Sequence, residues 1–238
     1  MIFDSHIHIT SMNSRGLDTT LPSSFFGLEC GTEPGDAEER IKLIGKRLDV
    51  MMSMGAGPWM LEKEENIETI IENLKKDIDR FGADAIGECG FDKHWNYGTI
   101  EKQRELFIRE IMVSKELNLA LIVHSRDADE ELLSLSPYFD DRTIMHSFSY
   151  GLETAKKILD RGAFLSFSGN ITYKANEHIR ESAKYCPLDR ILFETDSPYL
   201  SPVPMRGKPN TPMNTEYTLE FIASLKGVDK EELKERIK

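Results

Sequence analysis

Five short apolar runs in this chain each lead into a residue whose side chain can bind a metal ion. Such runs are typical of β-strands buried on both faces, as in a parallel sheet. Since each candidate ligand follows the carboxyl end of its run, the side chains should gather at one edge of the sheet. The runs lie near residues 2–6, 84–88, 119–123, 143–146 and 191–195, and they lead into His6 and His8, Glu88, His124, His146 and Asp196.

The pair His6 and His8 indicates that the predicted cluster could bind a metal ion. Side chains two apart on a strand point to the same face, so both imidazoles should project together from the end of the first strand. Imidazole is a good ligand for zinc, manganese, iron and nickel. Two polar histidines at a strand end are the ordinary alternative. His94 and His178 do not follow a strand and are expected to take no part.

Helical patterns separate the predicted strands. Apolar side chains recur at spacings of three and four in each of them, which indicates one buried face of a helix. Thr99 and Asn214 are candidate N-caps, and Asp229 with Glu232 resembles a capping box. The predicted helices cover residues 37–48, 62–81, 100–118, 152–159, 175–185 and 217–225, followed by a last helix after Asp229.

Eight strands alternating with helices predict an α/β fold, a (β/α)₈ TIM barrel. The other three strands are expected near residues 24–29, 49–54 and 163–167. An open doubly wound sheet is the alternative, but it would spread the ligands along a line instead of around one mouth. Irregularity is expected in the first βα units, because residues 10–48 show no regular first helix. That stretch is either a loop over the mouth or an irregular connection.

Composition indicates one domain over residues 1–238. The chain is 39% hydrophobic and 30% charged, which suits a single sizeable core. We expect neither a membrane span nor a signal peptide. The three cysteines are scattered and odd in number, which favours a reducing compartment and a cytoplasmic protein. Cys89 follows Glu88, so it should face the other side of its strand as a packed thiol.

These segments resemble, in order and spacing, the TatD-type metal-dependent deoxyribonucleases, a branch of the amidohydrolase-like barrels. The resemblance covers residues 1–9 and 83–227, and it includes the loop 204–210. Residues 10–50 match poorly, and Gly57-Pro58-Trp59 stands where the family commonly has a His-Pro pair. The matching segments are Asp4-Ser5-His6-Ile7-His8, Gly87-Glu88-Cys89-Gly90-Phe91-Asp92, His124-Ser125-Arg126-Asp127-Ala128, His146-Ser147-Phe148-Ser149-Tyr150-Gly151 and Glu194-Thr195-Asp196-Ser197-Pro198-Tyr199-Leu200-Ser201-Pro202.

The resemblance implies a metal-dependent hydrolase in which a metal-activated water attacks phosphorus. Six ligands exceed what one ion with open positions needs, so two divalent ions (Zn, Mg or Mn) are expected. Glu88 is the candidate bridge, since a carboxylate has two oxygens. Asp196 would also accept the proton of the water. Asp92 is either a partner of a metal-bound histidine or a loop cap. The ligands would be His6, His8 and Asp196 with Glu88 for one ion, and His124 and His146 with Glu88 for the other.

Charge limits the substrate. Thirty Lys and Arg against forty-one Asp and Glu give a net charge of −11, and no basic run is present to track a long nucleic acid. Three cations could bind substrate phosphates locally. Arg126 either does so or pairs with Asp127 or Asp129. Arg206 and Lys208, on the loop after the last strand, either do so or are simply solvated. Three aromatic residues of mouth loops could stack a base or pack as lids: Trp59, Trp95 and Tyr97.

Three functions remain open from the sequence. The first is a deoxyribonuclease of the 3′-5′ exonuclease type that acts on DNA ends. The second is an amidohydrolase-type enzyme for a small amide, lactone or phosphoester. The third, a non-catalytic metal-binding protein, is disfavoured because every expected ligand is present.

Overall fold

Eight parallel strands form one sheet in chain order. The structure, a computed structural model, describes residues 2–45, 47–95 and 97–236. Each strand pairs in parallel with the next, and the order β1 to β8 follows the sequence. The strands are β1 (Ile2–Ile7), β2 (Phe25–Glu29), β3 (Val50–Met54), β4 (Ala85–Asp92), β5 (Ala120–Arg126), β6 (Thr143–Met145), β7 (Phe164–Phe167) and β8 (Ile191–Phe193).

The sheet closes between its first and last strands. The Asp196 N–H donates to the His6 carbonyl at 3.0 Å, and the His8 N–H donates to the Ser197 carbonyl at 2.9 Å. These bonds lie just beyond β8, so the residues after that strand complete the ring. The predicted (β/α)₈ barrel is therefore confirmed, and the open-sheet alternative is wrong.

Helices cover the outside of the barrel. In α3, the predicted apolar face is buried, and Asn66 caps the helix by accepting the Glu68 N–H at 3.0 Å. The helices are α1 (Ile9–Ser14), α2 (Ala37–Ile44), α3 (Ile67–Phe81), α4 (Ile100–Leu117), α5 (Asp129–Leu135), α6 (Leu152–Leu159), α7 (Glu177–Tyr185), α8 (Thr215–Lys226) and α9 (Lys230–Glu235). Among the residues described, no helix is both long and apolar enough to cross a membrane.

Two of the three predicted caps are observed. Thr99 Oγ1 accepts the Lys102 N–H at the start of α4, and Asp229 accepts the Glu231 N–H at the start of α9. Asn214 stands before α8 but does not cap it with its side chain. Its amide donates to Asn210 Oδ1 instead, which fixes the preceding loop.

The first βα unit differs from its prediction. Residues 10–48 contain the short helix α1 as well as β2 and α2, so they are not a long loop. Helix α1 follows His8 directly, with Ile9 and Met12 buried. The Ile9 N–H donates to Glu29 Oε1, a contact from another strand. Because tertiary contacts rather than periodicity hold this helix, its own sequence does not reveal it.

Glu110 of α4 is a buried carboxyl inside the core. Its Oε1 accepts the Ala56 N–H at 2.8 Å, while Oε2 has no partner among the residues described. Burial raises the pKa of Glu110 well above its usual value, and the bond from Ala56 offsets only part of this. The carboxylate form of Glu110 therefore destabilises the fold. The stability that this group contributes is fully present below its pKa in the unfolded state, and it is lost as the pH rises through its pKa in the folded state.

We expect Glu110→Gln to remove the loss of unfolding free energy that Glu110 causes as the pH rises. The amide oxygen can still accept the Ala56 N–H, but the side chain carries no charge. The difference in unfolding free energy between variant and parent should grow from pH 4 to pH 8, by about 1.4 kcal/mol for each unit of pKa displacement. Urea unfolding at several pH values measures this difference. A difference in unfolding free energy that does not change with pH would show that the charge of Glu110 does not destabilise the fold.

Candidate metal centre

The carboxyl ends of the strands surround a pocket of about 360 Å³, which shares His124, Arg126, His146, Asp196 and Tyr199 with an adjoining pocket of about 350 Å³. All six predicted ligands but His6 line it, and His6 lies fully buried beneath the others. Of the other residues of the lining, Asp92 and Arg126 end β4 and β5, Ser11 belongs to α1, and the rest come from segments above the barrel. The lining comprises His8, Ser11, Thr32, Trp59, Glu88, Asp92, Trp95, Tyr97, His124, Arg126, His146, Asp196 and Tyr199.

Glu88 lies at the centre of the cluster. Its Oε1 is 2.6 Å from His6 Nε2, 3.3 Å from His8 Nε2 and 3.4 Å from His146 Nε2. Strand β4 continues four residues beyond Glu88, to Asp92, and Glu88 lies at a register shift between Ile86 and Cys89, which both pair with β5. A rigid strand thus holds one carboxylate oxygen against three imidazoles, the position that a bridging ligand requires.

One group of four side chains is compact enough to hold an ion. The ligating atoms of His6, Glu88, His146 and Asp196 all lie within 4.8 Å of one another. His8 borders this group, with Nε2 3.3 Å from Asp196 Oδ1. His146 therefore groups with His6, whereas the sequence-based assignment placed these two histidines on different ions. The rings of His6 and His146 are in fact stacked, with centroids 3.8 Å apart.

His124 stands on the outer side of the cluster. Its ring centroid is 5.8 Å from that of His146, and its Nε2 lies 3.0 Å from Asp92 Oδ2. Nδ1 is consequently the nitrogen left for a ligand. Asp92 also accepts the N–H groups of His94 and Trp95 through Oδ1, so it is both partner of a histidine and cap of a loop.

Each of the other histidines also has one ring nitrogen occupied by the protein. His146 Nδ1 lies 2.9 Å from Glu194 Oε1, His6 Nδ1 lies 3.2 Å from Cys30 Sγ, and His8 Nδ1 lies 3.3 Å from the Cys30 carbonyl. Histidines that bind metals usually have such partners, which hold the ring in its orientation. Nε2 of all three rings consequently faces the centre.

Electrostatics show how the centre holds its protons. Burial alone would raise the pKa of Glu88, but its three histidine neighbours lower it well below the usual value. Burial tends to lower the pKa of His146, yet the carboxylates of Glu194 and Glu88 raise it to about 9. Burial, with the nearby charge of His146, lowers the pKa of His6 to about 4. The centre thus holds an ionised Glu88 between a neutral His6 and a protonated His146, whose proton a bound cation would replace.

Sequence reasoning missed Glu194 and Cys30. Glu194 is fully buried and accepts the Ser147 N–H as well as pairing with His146. It precedes Asp196 by two residues, and this spacing was the signal for a shared direction. Cys30 follows β2, and nothing in its local sequence marks it. Cys89 is the packed thiol that was predicted, and its Sγ donates to the Ile122 carbonyl.

The predicted cations divide into two sets. Arg126 lines the pocket, and no ion pair joins it to Asp127 or Asp129 within the described part of the chain. Arg206 lies outside the lining, with its guanidinium 4.4 Å from the centre of the Tyr173 ring. Lys208 shares that loop, whose backbone carbonyl at 208 accepts from Ser201 Oγ. Only Arg126 reaches the site itself.

Trp59, Trp95 and Tyr97 all line the pocket, as expected for residues of mouth loops. Trp59 packs edge-on against the His124 ring at 5.6 Å and donates from Nε1 to the Thr32 carbonyl. A Cβ on Gly57 would lie 2.0 Å from the indole. The tryptophan thus occupies the space that a side chain at position 57 would need. His94 and His178 lie away from the cluster and contact Asp127 and the Ser149 carbonyl, respectively.

The donor set fits divalent ions. Buried imidazoles and carboxylates suit zinc and manganese, and their free nitrogen and oxygen atoms converge within bonding reach of common points. A (β/α)₈ barrel with such a cluster at its carboxyl end is the arrangement of a metal-dependent hydrolase.

Comparison with known proteins identifies the family. The sequence profile described as "TatD related DNase" matches residues 3–238, and the chain belongs to this TatD family. The metal-dependent hydrolase YabD of Bacillus subtilis is 40% identical, with 98% of this chain and 94% of YabD covered. YcfH of Escherichia coli K12 is 38% identical, covering 98% and 91%. Both relatives are described as uncharacterized.

Solved structures share the fold. The TatD homologue YjjV of Escherichia coli superposes with a TM-score of 0.86 at 23% identity, covering 99% of this chain and 94% of that one. The phosphotriesterase homology protein of the same organism gives 0.62 at 15% identity, covering 95% and 91%. The first βα units, whose motifs resemble the family poorly, are thus included in the match.

Proposed function

We propose that the protein hydrolyses phosphodiester bonds of DNA, as a 3′-5′ exonuclease-like enzyme that uses two divalent ions. One observation carries the proposal: Glu88 Oε1 lies within 3.4 Å of three imidazoles at the floor of a pocket. Such a shared carboxylate is typical of two-metal hydrolytic sites. The name of the matching family, a DNase, supports the substrate. The buried free cysteines suit the cytoplasmic location that we also propose.

Divalent ions in this centre would lower the pKa of a coordinated water and stabilise charge on phosphoryl oxygens. As the sequence predicts, His6, His8, Glu88 and Asp196 would hold one of them, and Glu88 with His124 and His146 the other, with His146 also lying in the compact group around His6. Asp196 stands at the edge of the cluster, 9% exposed, and can take the proton of the attacking water. Arg126 would hold a phosphate oxygen with its planar guanidinium.

The pocket admits the end of a strand rather than a duplex. Its volume, about 360 Å³, lies at the small end of the range for ligand pockets, and the adjoining pocket adds about 350 Å³ beside Arg126 and Asp196. Trp59, Trp95 and Tyr97 offer flat faces for a base, an interaction of about 1–3 kcal/mol for each stacked base. Because the chain carries a net charge of −11, attraction of a long nucleic acid must come from the site itself.

A small-molecule hydrolase is the second candidate. The same pocket volume and negative charge favour it, since neither requires a polymer. One structurally similar protein, the phosphotriesterase homology protein, has phosphate in its active site. A phosphoester or lactone would use the same ligands and the same Arg126.

Two kinds of substrate, DNA and small molecules, distinguish these functions. The protein is stripped with a chelator, reloaded with Zn²⁺, Mg²⁺ or Mn²⁺, and supplied with end-labelled single-stranded DNA or with a panel of lactones, cyclic amides and phosphomonoesters. Stepwise shortening of the DNA that returns only on adding metal supports the nuclease. Turnover of a small substrate with intact DNA would support the second candidate. Stoichiometric metal without any turnover would support a binding protein.

Arg126 lines the pocket, whereas Arg206 and Lys208 lie on a loop outside it. We therefore expect their effects to depend differently on the length of the substrate. Arg126→Ala should raise KM about tenfold for both a dinucleotide and a longer oligonucleotide, because the guanidinium meets the scissile phosphate. The double change Arg206→Ala with Lys208→Ala should affect only the longer substrate and reduce its salt slope by up to about two, one for each lost phosphate contact. Steady-state kinetics at several salt concentrations measure this. An equal response of both substrates would make the loop 204–210 structural.

A further inference from the structure

Cys30 contacts all three residues of the His6-Ile7-His8 segment. Its N–H donates to the Ile7 carbonyl at 2.9 Å, its Sγ lies 3.2 Å from His6 Nδ1, and its carbonyl accepts from His8 Nδ1 at 3.3 Å. The next residue continues the series, since the Gly31 carbonyl accepts the Glu88 N–H at 2.8 Å. The turn after β2 therefore connects the histidine pair to the central carboxylate.

The two histidines receive different kinds of partner. A carbonyl oxygen can only accept, so it fixes the proton of His8 on Nδ1. A thiol is a weak donor and a weak acceptor, so it can pair with either tautomer of His6. His124 and His146 face carboxylates, which accept when ionised. Within the described residues, His6 is the one cluster histidine whose partner can reverse its role.

The His6 ring needs such a partner. Its Nε2 is 2.6 Å from Glu88 Oε1, so without metal this nitrogen carries the proton and Nδ1 accepts from the thiol. A ligand nitrogen must instead offer its lone pair. Nδ1 then carries the proton and donates to Sγ. The change is a tautomeric shift: the proton lost at Nε2 is balanced by one gained at Nδ1, while Sγ keeps its own proton and changes from donor to acceptor. The ring and the thiol therefore stay neutral in both states.

We propose that Cys30 is a positioning residue for the metal centre, whose thiol pairs with His6 Nδ1 in both tautomers and so keeps Nε2 aimed at the ion. Cys30 is 2% exposed, and its sulfur cannot be replaced by solvent at that nitrogen. The proposal rests on the metal centre of the proposed function, but not on DNA as substrate.

Three variants test it. Cys30→Ala removes both roles of the thiol but keeps the backbone contacts to Ile7 and His8. Cys30→Ser supplies a hydroxyl, which also donates and accepts. Cys89→Ala is the matched control, because Cys89 is an equally buried thiol on a neighbouring part of the barrel that contacts the Ile122 carbonyl.

Zn²⁺ alone is the probe, with affinity measured by competition against a chromogenic chelator. Cys30→Ala should bind the tightest ion about 10–100-fold more weakly, as is typical on loss of a partner of a ligating histidine. Cys30→Ser should stay within about threefold and Cys89→Ala should match the parent. Ring ¹⁵N spectra should place the His6 proton on Nε2 without zinc and on Nδ1 with zinc.

Three outcomes would overturn the proposal: parental affinity in Cys30→Ala, an equal loss in Cys89→Ala, or a His6 proton on the same nitrogen in both states. If Cys30→Ala does not fold, the hydroxyl variant decides, since a tenfold loss there would contradict a role that hydroxyl and thiol share. Failure of DNA cleavage leaves these readouts unchanged, so it would overturn only the proposed substrate.

Discussion

Replacing Glu88 with alanine should empty the centre of metal and abolish turnover. Its Oε1 is the common neighbour of His6, His8 and His146, so its loss removes a ligand from each proposed ion and leaves the imidazoles facing one another. Loss of a direct ligand should weaken metal binding by more than the 10–100-fold typical of an outer partner. Metal content after dialysis, measured by elemental analysis, checks this expectation.

Glu88→Gln tests the role of the negative charge at position 88 separately from the role of the side-chain shape. The amide preserves the volume and one ligating oxygen, but it cannot neutralise the cations around it. We expect partial metal occupancy and turnover reduced at least about a hundredfold. Glu110→Gln is the matched control, because Glu110 is equally buried but is bound to the Ala56 backbone rather than to histidines. Full metal content in Glu88→Ala would show that another residue bridges.

The sequence predicted the barrel and its eight strands well, because the strands are apolar runs that alternate with helical patterns. Buried parallel strands are short apolar runs, and each polar residue that ends one is conspicuous. Lengths were less accurate: β4 and β5 run to Asp92 and Arg126 because they pair with each other that far. Pairing partners decide where a strand stops, and a local pattern does not contain them. The same reason explains α1, which depends on Glu29 from another strand.

Within the site, the central residues were predictable and their partners were not. Glu88 and Asp196 are distinctive as carboxylates that follow apolar runs, whereas Cys30 resembles any packed thiol until β1 and β2 are placed side by side. Its contact with His6 joins residues 24 positions apart. The division of ligands between two ions also depends on distances: His146 lies against His6 rather than only beside His124. That division remains a prediction until metals are located.

Asp196 allows a substitution that isolates proton transfer. Its backbone has φ of +56°, a left-handed conformation that Asp and Asn tolerate better than most residues, so Asp196→Asn should preserve the turn. The Asn side chain can still ligate through its oxygen, but it is no base.

We therefore expect Asp196→Asn to lower kcat by about 10²–10⁴-fold with little change in KM, because the lost interaction forms only as the water gives up its proton. Asp127→Asn is the control: Asp127 has φ of +55° and stands after β5, but its carboxylate pairs with His94 outside the cluster. Its kcat should stay within about twofold of the parent, as expected for an exposed ion pair. A mainly raised KM in Asp196→Asn would make Asp196 a substrate contact. An equal loss in both variants would point to the two backbone turns instead, since a specific base at position 196 cannot explain an effect at position 127.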